Sequence, residues 1–302
     1  MKRWLALVLV VACGVAAVVV SEWRRVDAQA SPAALLRWLA GLQREATRLP
    51  ASATRLSDAD EVRIGNEMAD RVAASFPAAS AGSTVEMYVQ IVGARVAAHT
   101  RRKLTYKFHY LPEIGFIDAF ALPGGHVFIG AGLISVMDSE DELAAVLGHE
   151  VEHIDHYHCA ERVQVEARLQ KIPLGGLVNL PIKLFQAGYS KDQELEADRE
   201  GTRLAVSAGY SPVGALRMFQ TFDRLFHEQI ARDRAPQQEL SRLALETLSG
   251  YFQSHPPPSE RIAQISAMIA AEHWENLTHE RDLQVASLFH RQPGFAVPSA
   301  KR

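Results

Sequence analysis

Residues 146–159 read VLGHEVEHIDHYHC, and the fold turns on whether this stretch is a helix with one buried face. It holds four histidines, two glutamates and an aspartate among regularly spaced apolar residues. Upstream, Ser139 precedes Glu140, Asp141 and Glu142, a capping residue followed by acidic groups where the helix dipole favours them. The spacing predicts a helix over residues 140–156. At about 100° per residue, Leu143, Val146, Leu147, Val151 and Ile154 form one apolar stripe, with His149, His153 and His156 together beside it.

His149 and His153 are four residues apart, so their imidazoles stack one turn above the other at a separation that suits one metal ion, with Glu150 flanking them. This is an H-E-x-x-H pattern. In such a site two imidazoles and a third protein ligand hold zinc, a water fills the open position, and the glutamate accepts that water's proton. The bland alternative is a solvated, histidine-rich surface helix; an apolar stripe turned to the core favours the metal reading. An extended motif with a glycine and then a third histidine is excluded, because those positions hold His156 and Cys159. Downstream, DQELEADREG offers Glu194, Glu196 and Asp198 on a second predicted helix that ends near Gly209. Glu194 and Glu196 point about 160° apart, and periodicity alone does not choose between them. Asp198 shares the face of Glu194 and is suited to accept the free N–H of a ligand imidazole.

Outward from this helix the period changes. LTYKFHYLP, IDAFALP and GGHVFIG are three short extended runs punctuated by Pro112, Pro123 and the pair Gly124 and Gly125, which suggests a small antiparallel sheet. The segments from Ser57 to Phe76 and from Ser83 to His99, and most of the chain after Ser139, read as helical. The class is α+β: mainly helical, with the small sheet beside the histidine helix.

The chain has 302 residues, 48% hydrophobic and 22% charged, with a formal net charge of -3. That composition buries a real core but supplies no broad basic surface, so nucleic acid is not an expected partner. Lys2 and Arg3 precede an apolar run from Trp4 to Val20, an export signal that ends at Ala28-Gln29-Ala30 or is kept as an anchor; Val10 to Cys13 also resembles a lipobox. Of two cysteines, Cys13 goes with that segment, which leaves Cys159 without a disulfide partner. The expected layout is a signal or anchor over 1–30, a helical arm over 31–56 built on Leu35, Leu36, Leu39 and Leu42, a catalytic domain over 57–275 and a tail over 276–302.

HEVEH, ELEAD, AFALPGGHVF and SHPPPSERI occur in the order and spacing of the CAAX prenyl protease / HtpX family of zinc metallopeptidases, a gluzincin family that the chain resembles over about residues 57–270. The resemblance implies a zincin-like fold and one zinc ion per chain on His149, His153 and Glu194, with Glu150 as general base and Asp198 supporting a ligand. It implies that Gly124, Gly125, His126 and Val127 belong to an edge strand that pairs with extended substrate. It places His255 and Arg261 near the reacting carbonyl, where they stabilise the oxyanion or, for His255, cap the zinc at rest. Asp118 departs from the family's usual asparagine, and Gly130 and Ala131 from a more polar pair. With one apolar segment, prenylated substrates are not implied. The expectation is an exported endopeptidase of the periplasm or cell envelope that acts on unfolded or misassembled proteins in quality control, with membrane association through its N-terminus. A catalytically silent chaperone or adaptor is the rival from another class, and a structural zinc domain a second. His158 reads as a packed or supporting histidine, Glu152 and Asp155 as the solvated face of the helix.

Overall fold

The computed structural model describes residues 56–76, 83–169, 176, 185, 189–232 and 258–289. The expected signal or anchor with Cys13, the arm up to residue 55, and His255 lie outside them. Nine helices and three strands follow in order among the described residues: α1 (Asp58–Ser75), α2 (Thr84–Ala97), β1 (Lys107–Leu111), β2 (Ala119–Leu122), β3 (His126–Gly130), the short α3 (Ala131–Ile134), α4 (Glu140–Asp155), α5 (His158–Leu169), α6 (Lys191–Ser207), α7 (Val213–Arg232), α8 (Pro258–Ala271) and the single turn α9 (Ala286–Phe289). The architecture is α+β.

Four serines start four of these helices. The side chains of Ser57, Ser83, Ser139 and Ser190 accept from the backbone N–H three residues on, and α4 and α6 complete the capping box with Glu142 and Gln193. Each such cap is worth about 1 kcal/mol and fixes where its helix begins, hence which side chains share a face.

The sheet has the order β1-β3-β2, with β3 in the middle. β2 pairs antiparallel with β3 across a three-residue turn, Pro123–Gly125, whereas β1 pairs parallel with β3, Lys107 opposite His126 and Leu111 opposite Gly130. The expected all-antiparallel sheet is therefore corrected to a mixed one. Three strands that alternate in direction are antiparallel throughout only if they lie in chain order; here β3 inserts between the first two. Gly124 and Gly125 have φ of 75° and 107°, and a Cβ on Gly124 would come within 2.5 Å of the Val62 backbone in α1. The turn is glycine because it is left-handed and pressed against a helix.

α4 packs against α2, α6, α7 and β2. Leu143, Leu147, Val151 and Ile154 are fully buried, each contributing about 1.5–3 kcal/mol of hydrophobic burial. Val146, expected in that stripe, is only half-buried and lines a cavity beside the histidines. Glu152 and Asp155 are also corrected, because helices cover α4 on both flanks and leave it no solvated face. Both are buried; Asp155 accepts from the backbone N–H groups of Arg101 and Arg102 at 3.1 and 2.7 Å. Part of the expected tail is docked too. Glu140 N–H donates to the Arg281 carbonyl, Arg281 N–H donates to Asp141, and Leu283 and Val285 are buried, so residues 281–285 close the start of α4.

Candidate active site

α4 and α6 meet at a pair of glycines. A Cβ on Gly148 would lie 2.5 Å from the Gly201 carbonyl oxygen, and one on Gly201 would lie 2.6 Å from the backbone nitrogen of His149. Only two residues without side chains allow helices this close. The approach brings the first turn of α6 onto the histidine face of α4.

There, Nε2 of His149 and Nε2 of His153 are 3.1 Å apart. Glu194 places Oε2 3.4 Å from His149 Nε2 and Oε1 3.8 Å from His153 Nε2. All three residues are buried, and their ligand atoms lie within 4.8 Å of one another. Ligand atoms around tetrahedral zinc with bonds of about 2.0–2.1 Å sit about 3.3 Å apart, so this donor set fits the ion. The choice that periodicity left open is made by the phase of α6: Glu194 faces the imidazoles, while Glu196 lies 3.1 Å from His156 and 3.3 Å from His158.

The electrostatics ask for positive charge. Burial opposes a charged imidazole at His149, yet hydrogen bonds that it donates to Asp198 and Glu194 lift its pKa to about 10. Asp198 Oδ1 lies 2.8 Å from His149 Nδ1, which leaves Nε2 turned toward the cluster. Burial would raise the Asp198 carboxyl, but Arg261, donating from Nε and Nη2 at 2.7 and 2.5 Å, holds it below its ordinary value. Arg261 is itself buried, stacked over Phe219, with Nη2 3.4 Å from His149 Nδ1.

Glu150 accepts from the Ala121 backbone, and burial, opposed by His149 and aided by Glu194, pushes its carboxyl up to about 7. That is the range a general base needs near neutral pH. Together with His149, Arg261, Ala119, Val146 and Phe222 it lines a mostly apolar cavity of about 30 Å³.

The four residues expected on a substrate edge are not brought to this cluster. β3 is the central strand, Gly124 and Gly125 are the turn against α1, and His126 bonds Asn66 and His109. The correction has a plain cause: β3 already has partners on both sides, and the strand next to α4 is β2. His255 is outside the described residues.

One residue that sequence reasoning missed, Tyr189, closes around the ligand side chains. Tyr189 stacks its ring on His153 at 4.0 Å, donates its N–H to Glu194 Oε1 at 2.8 Å, and sets its hydroxyl 3.2 Å from Cys159 Sγ. Cys159 is fully buried and burial raises its thiol pKa, so it is an inert packing group. Glu196 was visible as the alternative candidate ligand that periodicity left open. No periodic signal marks Tyr189, which directly precedes Ser190, the cap of α6.

The family model of Peptidase family M48 matches residues 83–183 and 174–269, more than half of the chain. Among curated relatives, the mitochondrial metalloendopeptidase OMA1 of Arabidopsis thaliana is 29% identical over 50% of this chain and 30% of its own length. The Beta-barrel assembly-enhancing protease of Escherichia coli is 24% identical over 69% of this chain and 43% of its own, and Metalloprotease LoiP of the same organism 27% identical over 56% and 64%. The chain thus spans less than half the length of the first two and just under two thirds of the third.

Proposed function

The chain belongs to peptidase family M48, and from that premise we propose that it is a zinc metalloendopeptidase. The observation that carries this reading is the convergence of His149, His153 and Glu194, from two helices, beside a buried glutamate whose carboxyl is poised near neutrality. A zinc ion held there would supply Lewis-acid polarisation of the scissile carbonyl and an acidified water. Glu150 accepts the water's proton and passes it to the leaving amine. Asp198 holds the tautomer of His149, and Arg261 holds Asp198. The oxyanion role that the motif resemblance assigns to His255 and Arg261 stays part of the proposal, as does that resemblance to the CAAX prenyl protease / HtpX members themselves.

Substrate would lie as an extended peptide along β2, the strand that packs against α4. Pairing through main chain reads few side chains, which suits a protease of unfolded or misassembled proteins. The export signature at the N-terminus, and two relatives named as a β-barrel assembly-enhancing protease and Metalloprotease LoiP, support action on envelope proteins in quality control. No helix among the described residues is long and apolar enough to cross a membrane.

The test is elemental analysis and casein proteolysis on the full chain, wild type against Glu150→Gln. One zinc per chain in both, with proteolysis reduced about 10²–10⁴-fold in the variant, is the expected result. Undiminished proteolysis in Glu150→Gln would remove the general base from the scheme.

A further inference from the structure

Beside the ligand triad lies a second group, His156, His158 and Glu196, whose candidate ligand atoms are also within 4.8 Å of one another. It meets the triad at His153: Nδ1 of His158 is 3.0 Å from Nδ1 of His153. Two ring nitrogens at that distance share a single proton, since two lone pairs or two N–H groups would repel.

Which ring carries the proton follows from the far side of His153. Its Nε2 faces His149 Nε2 and Glu194, so coordinating a cation there uses the Nε2 lone pair and puts the ring proton on Nδ1. His158 Nδ1 must then accept, and the proton of His158 sits on Nε2. That nitrogen points at Glu196 Oε2, 3.3 Å away. Glu196 is anchored in turn: His156 Nδ1 lies 3.1 Å from its other oxygen, and His156 Nε2 lies 2.9 Å from Glu152.

Resting on the zinc reading of the triad, we propose that His158 and Glu196 are positioning residues, a hydrogen-bonded relay that fixes the tautomer and ring orientation of His153. The relay is the counterpart of Asp198 on His149, with one imidazole interposed. A carboxylate gripping a ligand imidazole raises its basicity and pre-sets its geometry. α6 thereby supplies the acidic ligand and both supporting carboxylates: Glu194 and Asp198 from one face, and Glu196 from another by way of the first residue of α5. The same ordering of protons excludes a second cation on this cluster. Binding there would need the lone pair of His158 Nε2, would turn an N–H toward His153, and would move the His153 proton into the triad.

The experiment measures zinc affinity of the full-length protein by competition with a chelating dye, with folding checked by circular dichroism. His158→Leu is expected to bind zinc 10–100-fold more weakly, the usual effect of removing such a partner. His158→Gln, whose amide accepts from His153 and donates to Glu196, is expected to stay within a few-fold of wild type. Glu196→Ala, at a partly exposed side chain, is expected to weaken zinc as well and serves if His158→Leu does not fold. Wild-type affinity in His158→Leu, or in Glu196→Ala where the former does not fold, overturns the relay. So do two zinc ions per chain that fall to one in Glu196→Ala. Failure of the triad itself reads differently: a wild-type chain that binds no zinc, or a Glu194→Gln variant that binds it undiminished.

Discussion

Asp118 and Glu150 are two buried carboxyls whose states depend on each other. Asp118 stands where the resembled family has an asparagine, and the sequence alone suggests that a charge has replaced an amide. Burial first, then the neighbouring Glu150, raise its pKa well above the ordinary value, while Oδ1 accepts from the Ala119 backbone N–H at 2.9 Å. Glu150 titrates near neutrality for the same first reason. Its folded pKa of about 7 exceeds the ordinary 4.5, so the folded, metal-free protein holds this proton more tightly than the unfolded chain does. That stabilisation is present in full below about pH 4.5 and is lost as pH rises through about 7. In the chelator-treated protein, Glu150→Gln is therefore expected to melt above wild type at pH 8, with the gap narrowing toward pH 5. A gap independent of pH would show that burial does not govern this carboxyl.

The decisive contact between elements is the crossing of α4 and α6. Helix propensity alone favours alanine over glycine by about 1 kcal/mol inside a helix, so Gly201→Ala should stabilise an isolated α6. In the folded protein the added Cβ would sit 2.6 Å from the His149 backbone nitrogen, which cannot yield without parting the helices. Overpacking of this kind costs about 1–3 kcal/mol. Gly201→Ala is therefore expected to lower the melting temperature and to weaken zinc binding, because Glu194 retreats with its helix. A more stable variant with undiminished zinc would place the helices further apart than described. The serine caps belong to the same scale: Ser190 and Gln193 set the start of α6, and with it the phase that presents Glu194 and not Glu196.

Across the whole molecule, the proposed zinc ion would tie α4 to α6, and Arg261 on Asp198 ties α6 to α8. A ligand that binds only the folded chain stabilises it by mass action, about 2.7 kcal/mol at a concentration one hundred times its Kd. Chelation is expected to lower the melting temperature of wild type, and zinc to restore it. In Glu194→Gln the difference between the two conditions should shrink. An equal difference would mean that zinc stabilises the fold from elsewhere. Arg102 makes a second, metal-independent tie, from Glu61 and Asp58 of α1 to the Ile154 carbonyl at the end of α4, so the metal-free chain keeps an internal brace.

The α+β class, the bounds of α4, and the facing of His149, His153 and Glu150 were legible in the sequence, because capping residues and 3.6-residue periodicity act over a few positions. The first glutamate of ELEAD was chosen only by resemblance, and the geometry of α6 agrees with that choice. Strand order was not legible, since β1 and β3 pair across an intervening strand and nothing local records it. The burial of Glu152 and Asp155, the role of Tyr189 and the partners of His158 and Glu196 were hidden for the same reason: each depends on what a distant segment lays against the helix. Local steric and hydrogen-bonding rules wrote the helices into the sequence. Only close packing, with Gly148 against Gly201 at its centre, decided which of their polar side chains would meet.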